Sequence, residues 1–272
     1  MAVLSQGQVY SFNENGFLIV RKLVDPETVS VLREALMRIV DGKHEGMRRR
    51  MDLSSADGRK ITKIERFWNL DPVFEDFLRT SKLGEAAGQL MDTPEVRLFY
   101  DQMFYKEPKV GAPVPCHQDY DTFRDVSTSN LVTGWIATSR VDRENGCMYM
   151  IPGSHKWGLI DRIGSYILKD PDPEYFLSHS LAAERQAQIV RQPIELDAGD
   201  VSFHHALTIH CSYPNISDRP RLGYIHHYLS ADARYVEAQD LHKHHEIEVK
   251  DGELLNSARF PVVWRDPVSV SQ

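Results

Sequence analysis

From Val96 onward the chain breaks into short segments made of residue types that suit a pleated sheet. Val96–Tyr105, Leu131–Thr138, Cys147–Ile151, Ile194–Leu196, Val201–His204 and Leu222–Leu229 are each rich in β-branched, aromatic and apolar residues. Turn signals separate them, including Asn145-Gly146 and Pro152-Gly153-Ser154. Many short strands joined by turns, after a helical start, suggest one jelly-roll core with helices packed outside it. No apolar run approaches the ~18 residues that a membrane-spanning helix needs.

Ahead of these strands the pattern is mostly helical. Gly16–Val20 reads as a buried strand, and Asp25-Pro26 then offers a capping side chain before a proline at the first helical position. Val29, Leu32, Leu36, Ile39 and Val40 recur at helical spacing, which predicts a helix over 26–40. Asp71-Pro72 opens a second helical region with a further turn around Leu83–Met91, whereas residues 41–60 read as a polar loop. Residues 170–191 read as a helical insertion, and the tail carries no clear period. One domain is expected over 1–272: a helical part to about 94, a jelly-roll core over about 95–230, and an extension over 231–272. With 42% hydrophobic residues, 272 residues bury a large core without disulfide staples.

The net charge of −7 argues against a nucleic-acid or anionic-membrane binder. The basic run Arg48-Arg49-Arg50, with Lys43, Arg59, Lys60 and Lys63 nearby, reads as a solvated loop or as a site for an anion. Three cysteines, Cys116, Cys147 and Cys211, form neither a disulfide framework nor a Cys-x-x-Cys zinc pair. The first ten residues lack the apolar run of a signal peptide, so the cytoplasm is the expected location.

The chemistry gathers at Pro115-Cys116-His117-Gln118-Asp119. On a strand His117 and Asp119 project to the same side. His210 offers a second imidazole, and two histidines with one carboxylate form the facial triad of non-haem Fe(II) oxygenases. His204-His205 and His226-His227 are neighbours that face opposite ways, so neither pair reaches one metal together. A turn between Pro214 and Pro220 is expected to return the chain beside its own strand and bring Arg221 into the interior. A guanidinium in an apolar barrel needs an anionic partner and binds a carboxylate bidentately.

Four motifs in order resemble the phytanoyl-CoA dioxygenase family. They are Pro115–Asp119, Trp135-Ile136-Ala137 with Glu144–Met148, Ile151–His155, and His210-Cys211-Ser212 through Asn215 to Arg221. The resemblance implies a mainly β protein with a double-stranded β-helix (jelly-roll, cupin-like) core. It implies Fe(II) held by His117, Asp119 and His210, with 2-oxoglutarate and O2 as co-substrates and ascorbate as an aid. It also implies that Arg221 grips the distal carboxylate of 2-oxoglutarate with Ser212, while Trp135 and Gln102 border it. The reaction expected is oxidation of an unactivated C–H bond, with release of succinate and CO2. Asp119 favours oxygenation, since halogenating relatives lack that carboxylate. Cys116 departs from the family, where an aromatic residue is frequent. Tyr105, Tyr120, Asp121 and Arg124 are the expected contacts to a small-molecule substrate, in a monomer or homodimer. Two other readings stay open: a metal-dependent hydrolase or isomerase on a cupin-like barrel, and a catalytically silent binding domain.

Overall fold

The computed structural model describes residues 2–42, 50–55, 57–160, 172–239 and 247–267. Six helices are present among them: α1 (Gln6–Asn15), α2 (Pro26–Val40), α3 (Pro72–Thr80), α4 (Leu83–Met91), α5 (Tyr175–Ser180) and α6 (Ala183–Gln186). The strands are β1 (Phe17–Val20), β2 (Arg50–Ser54), β3 (Lys60–Glu65), β4 (Glu95–Lys106), β5 (Val114–His117) and β6 (Leu131–Ala137). They continue as β7 (Met148–Met150), β8 (Gln192–Ile194), β9 (Val201–His205), β10 (His210–Ser212), β11 (Arg221–Ser230) and β12 (Val262–Arg265).

Two sheets enclose the interior. An eight-stranded sheet runs β1-β9-β6-β11-β4-β3-β2, with β12 also paired to β4, and a four-stranded sheet runs β5-β10-β7-β8. Facing each other, the two sheets form a cupin-like jelly-roll core. Helices cover the outer face of the large sheet. Asp25 caps α2 by accepting a hydrogen bond from the Thr28 amide at 2.9 Å, and Val29, Leu32, Ala35, Leu36 and Ile39 bury one face of that helix. They meet Phe67, Phe74, Phe203 and Tyr224 in the main core. Covering both faces leaves all ten residues of β11 buried, including the polar Arg221, His226, His227 and Ser230. A second core, with Trp135, Ile225, Met148 and Ile194, lies between the sheets.

Several expectations need correction. Residues 41–60 are not simply a loop, because the antiparallel β2–β3 pair forms the edge of the large sheet. Alternate positions of β2 are exposed, and its polar residues carry no apolar signal. Lys43, Arg48 and Arg49 lie outside the described residues. The chain also opens with α1, whose N-cap Ser5 forms a capping box with Gln8 in the first turn of the helix. The stretch Leu181–Val190 forms only the single turn of α6. The tail adds β12 to β4. From β10 the chain does not return beside its own strand; it crosses to the large sheet, where Arg221 begins β11. Among the described residues no helix is long and apolar enough to cross a membrane.

Candidate active site

A pocket with an empty volume of about 530 Å³ opens between the two sheets. On the small sheet His117 and His210 are direct antiparallel partners, with ring centroids 4.1 Å apart. His117 Nδ1 lies 2.8 Å from the Pro115 carbonyl and His210 Nδ1 lies 2.9 Å from the Thr208 carbonyl. A carbonyl only accepts, so each Nδ1 donates and each Nε2 keeps its lone pair.

Asp119 is not on the strand, as expected, but on the first position of a 3-10 turn over Asp119–Asp121. Gln118 between them is extended, with φ −111° and ψ 131°, so the alternation still carries Asp119 to the side of His117. The Gln118 side chain donates to the Leu207 and Gly158 carbonyls at 2.7 and 2.9 Å and accepts from the Ile160 amide at 2.9 Å. It therefore pins the turn from three sides.

Asp119 Oδ1 lies 3.5 Å from His117 Nε2 and 3.7 Å from His210 Nε2. The other oxygen, Oδ2, accepts from Thr133 Oγ1 at 2.7 Å and from His204 Nε2 at 3.0 Å. Burial alone would raise the Asp119 carboxyl, but His210, His117 and His204 hold it well below the usual carboxylate range. Burial and the neighbouring imidazoles push His210 well below its ordinary value. A buried carboxylate beside two imidazoles that turn Nε2 toward it is the donor set a divalent metal requires. Among the described residues, His117, Asp119 and His210 form the only group of this kind, with ligand atoms within 4.8 Å of one another.

Arg221, Ser212, Trp135 and Gln102 line the same pocket. Arg221 is 2% exposed, and its Nη1 donates to the Gly146 carbonyl at 2.9 Å. Its guanidinium lies 4.9 Å from the centre of the Trp135 ring. Burial draws it down to about 10. The indole packs so closely on β11 that a Cβ at Gly223 would sit 2.0 Å from Trp135 Cζ2. Arg221 Nε, Trp135 Nε1 and Gln102 Oε1 are buried without a hydrogen-bond partner. Unpaired buried polar atoms are costly, and here they border a cavity able to receive a polar ligand.

The four residues expected to meet substrate are placed elsewhere. Alternation along β4 turns Tyr100, Gln102 and Phe104 to the pocket and Tyr105 to the helix-backed core. Tyr120 donates its hydroxyl to the Val126 carbonyl at 2.9 Å, and Asp121 pairs with Arg124. None of the four lines the pocket. Lys63, Tyr100, Phe104 and His227 do so instead.

Sequence reading also set aside His204 and His227. Each belongs to a neighbouring pair whose other member faces away, so one of each pair had to turn inward. His227 Nδ1 shares a 2.8 Å hydrogen bond with Thr133 Oγ1, extending the network that holds Asp119.

Residues 12–223 match the phytanoyl-CoA dioxygenase family. The peroxisomal phytanoyl-CoA dioxygenase of Rattus norvegicus is 26% identical over 256 residues, covering 86% of this chain and 71% of that protein. The crystal structure of the non-haem alpha ketoglutarate dependent carbocyclase SnoK from nogalamycin biosynthesis superposes with a TM-score of 0.78 at 25% identity, covering 96% of this chain and 97% of that one. The epimerase SnoN, solved in complex with Fe3+, alpha ketoglutarate and nogalamycin RO, gives a TM-score of 0.76 at 24% identity, covering 95% and 98%.

Proposed function

The chain belongs to the phytanoyl-CoA dioxygenase family, and on that premise we propose that it oxidises a C–H bond of a small molecule as an Fe(II)- and 2-oxoglutarate-dependent oxygenase. The observation that carries this reading is Arg221, a buried cation that shares its pocket with the triad and has no carboxylate partner among the described residues. A hydrolase on the same barrel has no need of such a group.

In this reading His117, Asp119 and His210 hold Fe(II) on one face, and Arg221 with Ser212 receives the distal carboxylate of 2-oxoglutarate. Trp135 and Gln102 border the chain of the keto acid. When bound, iron, 2-oxoglutarate and O2 supply the oxidising power, with succinate and CO2 as co-products and ascorbate as an aid to turnover. The protein's part is placement and exclusion of water. Thr133 and His204 occupy Asp119 Oδ2, so Oδ1 is the oxygen presented toward both imidazoles. Lys63, Tyr100, Phe104 and His227 line the rest of the pocket and are the proposed contacts of the substrate. Three buried free thiols support a reducing compartment, the cytoplasm.

Anaerobic Fe(II) protein mixed with 2-oxoglutarate is expected to develop a charge-transfer band in the visible. His117→Ala or Asp119→Ala should remove that band and all succinate release. A wild-type protein that binds iron but shows no such band overturns the reading. A succinate-release screen over acyl-CoA esters, amino acids, phosphonates and terpenoid acids then identifies the substrate.

A further inference from the structure

Lys106 ends β4 and is fully buried, at 0% exposure. Its cross-strand partner on β11 is Arg221, so one register position carries two buried cations. Like charges opposite each other on a ladder destabilise it, and a buried charge without a counter-ion is costlier still. Neither cation makes an ion pair with a carboxylate among the described residues. Burial, and then the charge of Arg221, drive the Lys106 ammonium well below its ordinary range. The fold carries this pair side by side, beside a pocket.

The contacts of Lys106 show where that charge is directed. Nζ donates to Ser212 Oγ at 2.7 Å and to the Tyr213 carbonyl at 2.6 Å, reaching from the large sheet to the small one. A hydroxyl that accepts from an amine on one side keeps its own hydrogen to give on another. Ser212 lines the pocket together with Arg221, whereas Lys106 stands behind them.

We infer that Lys106 is a positioning residue for the second carboxylate of the keto acid. It occupies the Ser212 oxygen from behind the Arg221 clamp, which leaves the Ser212 hydroxyl hydrogen for the ligand. The pocket thereby selects a keto acid that ends in a carboxylate over one that ends in a methyl group. This inference rests on the oxygenase reading above.

The test is anaerobic titration of the Fe(II) protein with 2-oxoglutarate and, separately, with 2-oxopentanoate, which has the same chain and no second carboxylate. Dissociation constants are read from the charge-transfer band, and thermal unfolding is followed in parallel. Lys106→Met should weaken 2-oxoglutarate on the order of tenfold or more, the scale of one charge-assisted hydrogen bond, and leave 2-oxopentanoate within about twofold. A variant that keeps the wild-type preference, or that weakens both acids equally, overturns the positioning role. If the methionine variant does not fold, Ser212→Ala carries the test: it should narrow the same preference, and an unchanged preference overturns the inference. A wild-type protein that binds neither acid overturns the oxygenase reading and this inference with it. Normal 2-oxoglutarate binding by both variants overturns only the latter.

Discussion

Along β11 successive side chains alternate between two buried faces of one sheet, and their polar atoms fare differently. Toward the helices, Tyr224 donates to Asp101 at 3.3 Å, Asp101 also accepts from the Phe67 amide at 3.0 Å, and His226 shares a 2.8 Å hydrogen bond with Tyr228. Toward the small sheet, Arg221, Trp135, Gln102 and His227 all keep a buried polar atom without a partner. His226 Nε2 is an exception on the helix side. Burial is equal on the two faces, so burial alone does not separate scaffold from site. Satisfaction does: the helix face spends its polar groups on itself, and the pocket face holds them for a visitor.

The strongest way to break this contrast is to damage each face and read the other. Phe74 is fully buried and packs edge-on to Phe67 at 5.0 Å, on the helix side. Phe74→Ala should cost about 3–5 kcal/mol of stability in denaturant titration, because the packed layer collapses only partly around the cavity. Its 2-oxoglutarate affinity, measured at low temperature, should stay within about twofold of wild type. The reverse experiment is Arg221→Met. It should weaken 2-oxoglutarate on the order of a hundredfold, the scale of a lost bidentate charge pair, with a melting temperature equal to or above wild type. If Arg221→Met unfolds the protein while Phe74→Ala changes ligand affinity, the division between the faces is wrong.

A smaller effect sharpens the contrast by pH. Burial raises the Asp101 carboxyl from 3.8 to about 7, against the backbone amides and Tyr224 hydroxyl that favour its charged form. The folded chain thus keeps a proton that the unfolded chain has released. This group's contribution to stability is full below 3.8 and is lost as pH rises through about 7. Asp101→Asn should therefore flatten the fall in unfolding free energy between about pH 4 and pH 7. An undiminished fall in the variant would show that Asp101 is not its source.

How much of this was legible in the sequence follows from the range of each signal. Helix α2 was readable to its ends because its cap, its proline and its apolar stripe are all local. His117, Asp119, His210 and Arg221 stood out because they fall at recurring points among recognisable motifs. The β2–β3 edge was hidden, since an edge strand with one exposed row has little need of apolar residues. Lys106 was hidden for a different reason. Its neighbours Glu107 and Pro108 make it look like a charge at a strand end, and only the register opposite Arg221 reveals two buried cations together. Likewise the role of Thr133 depends on where a turn in another sheet sets Asp119. Motifs mark chemistry that repeats; they do not mark supports that exist only once the sheets face each other.

The two ends of the pocket belong to different halves of the barrel. His117 and His210 stand on the four-stranded sheet, and Arg221 stands on the eight-stranded one. The protein's own stitches across that seam include Lys106 to Ser212 and Asp119 to Thr133 and His204. On the proposed function, a keto acid held by the triad at one end and by Arg221 at the other would span this same seam. A ligand held at both ends would therefore stabilise the pairing of the two sheets, and the folded barrel as a whole, in proportion to its affinity.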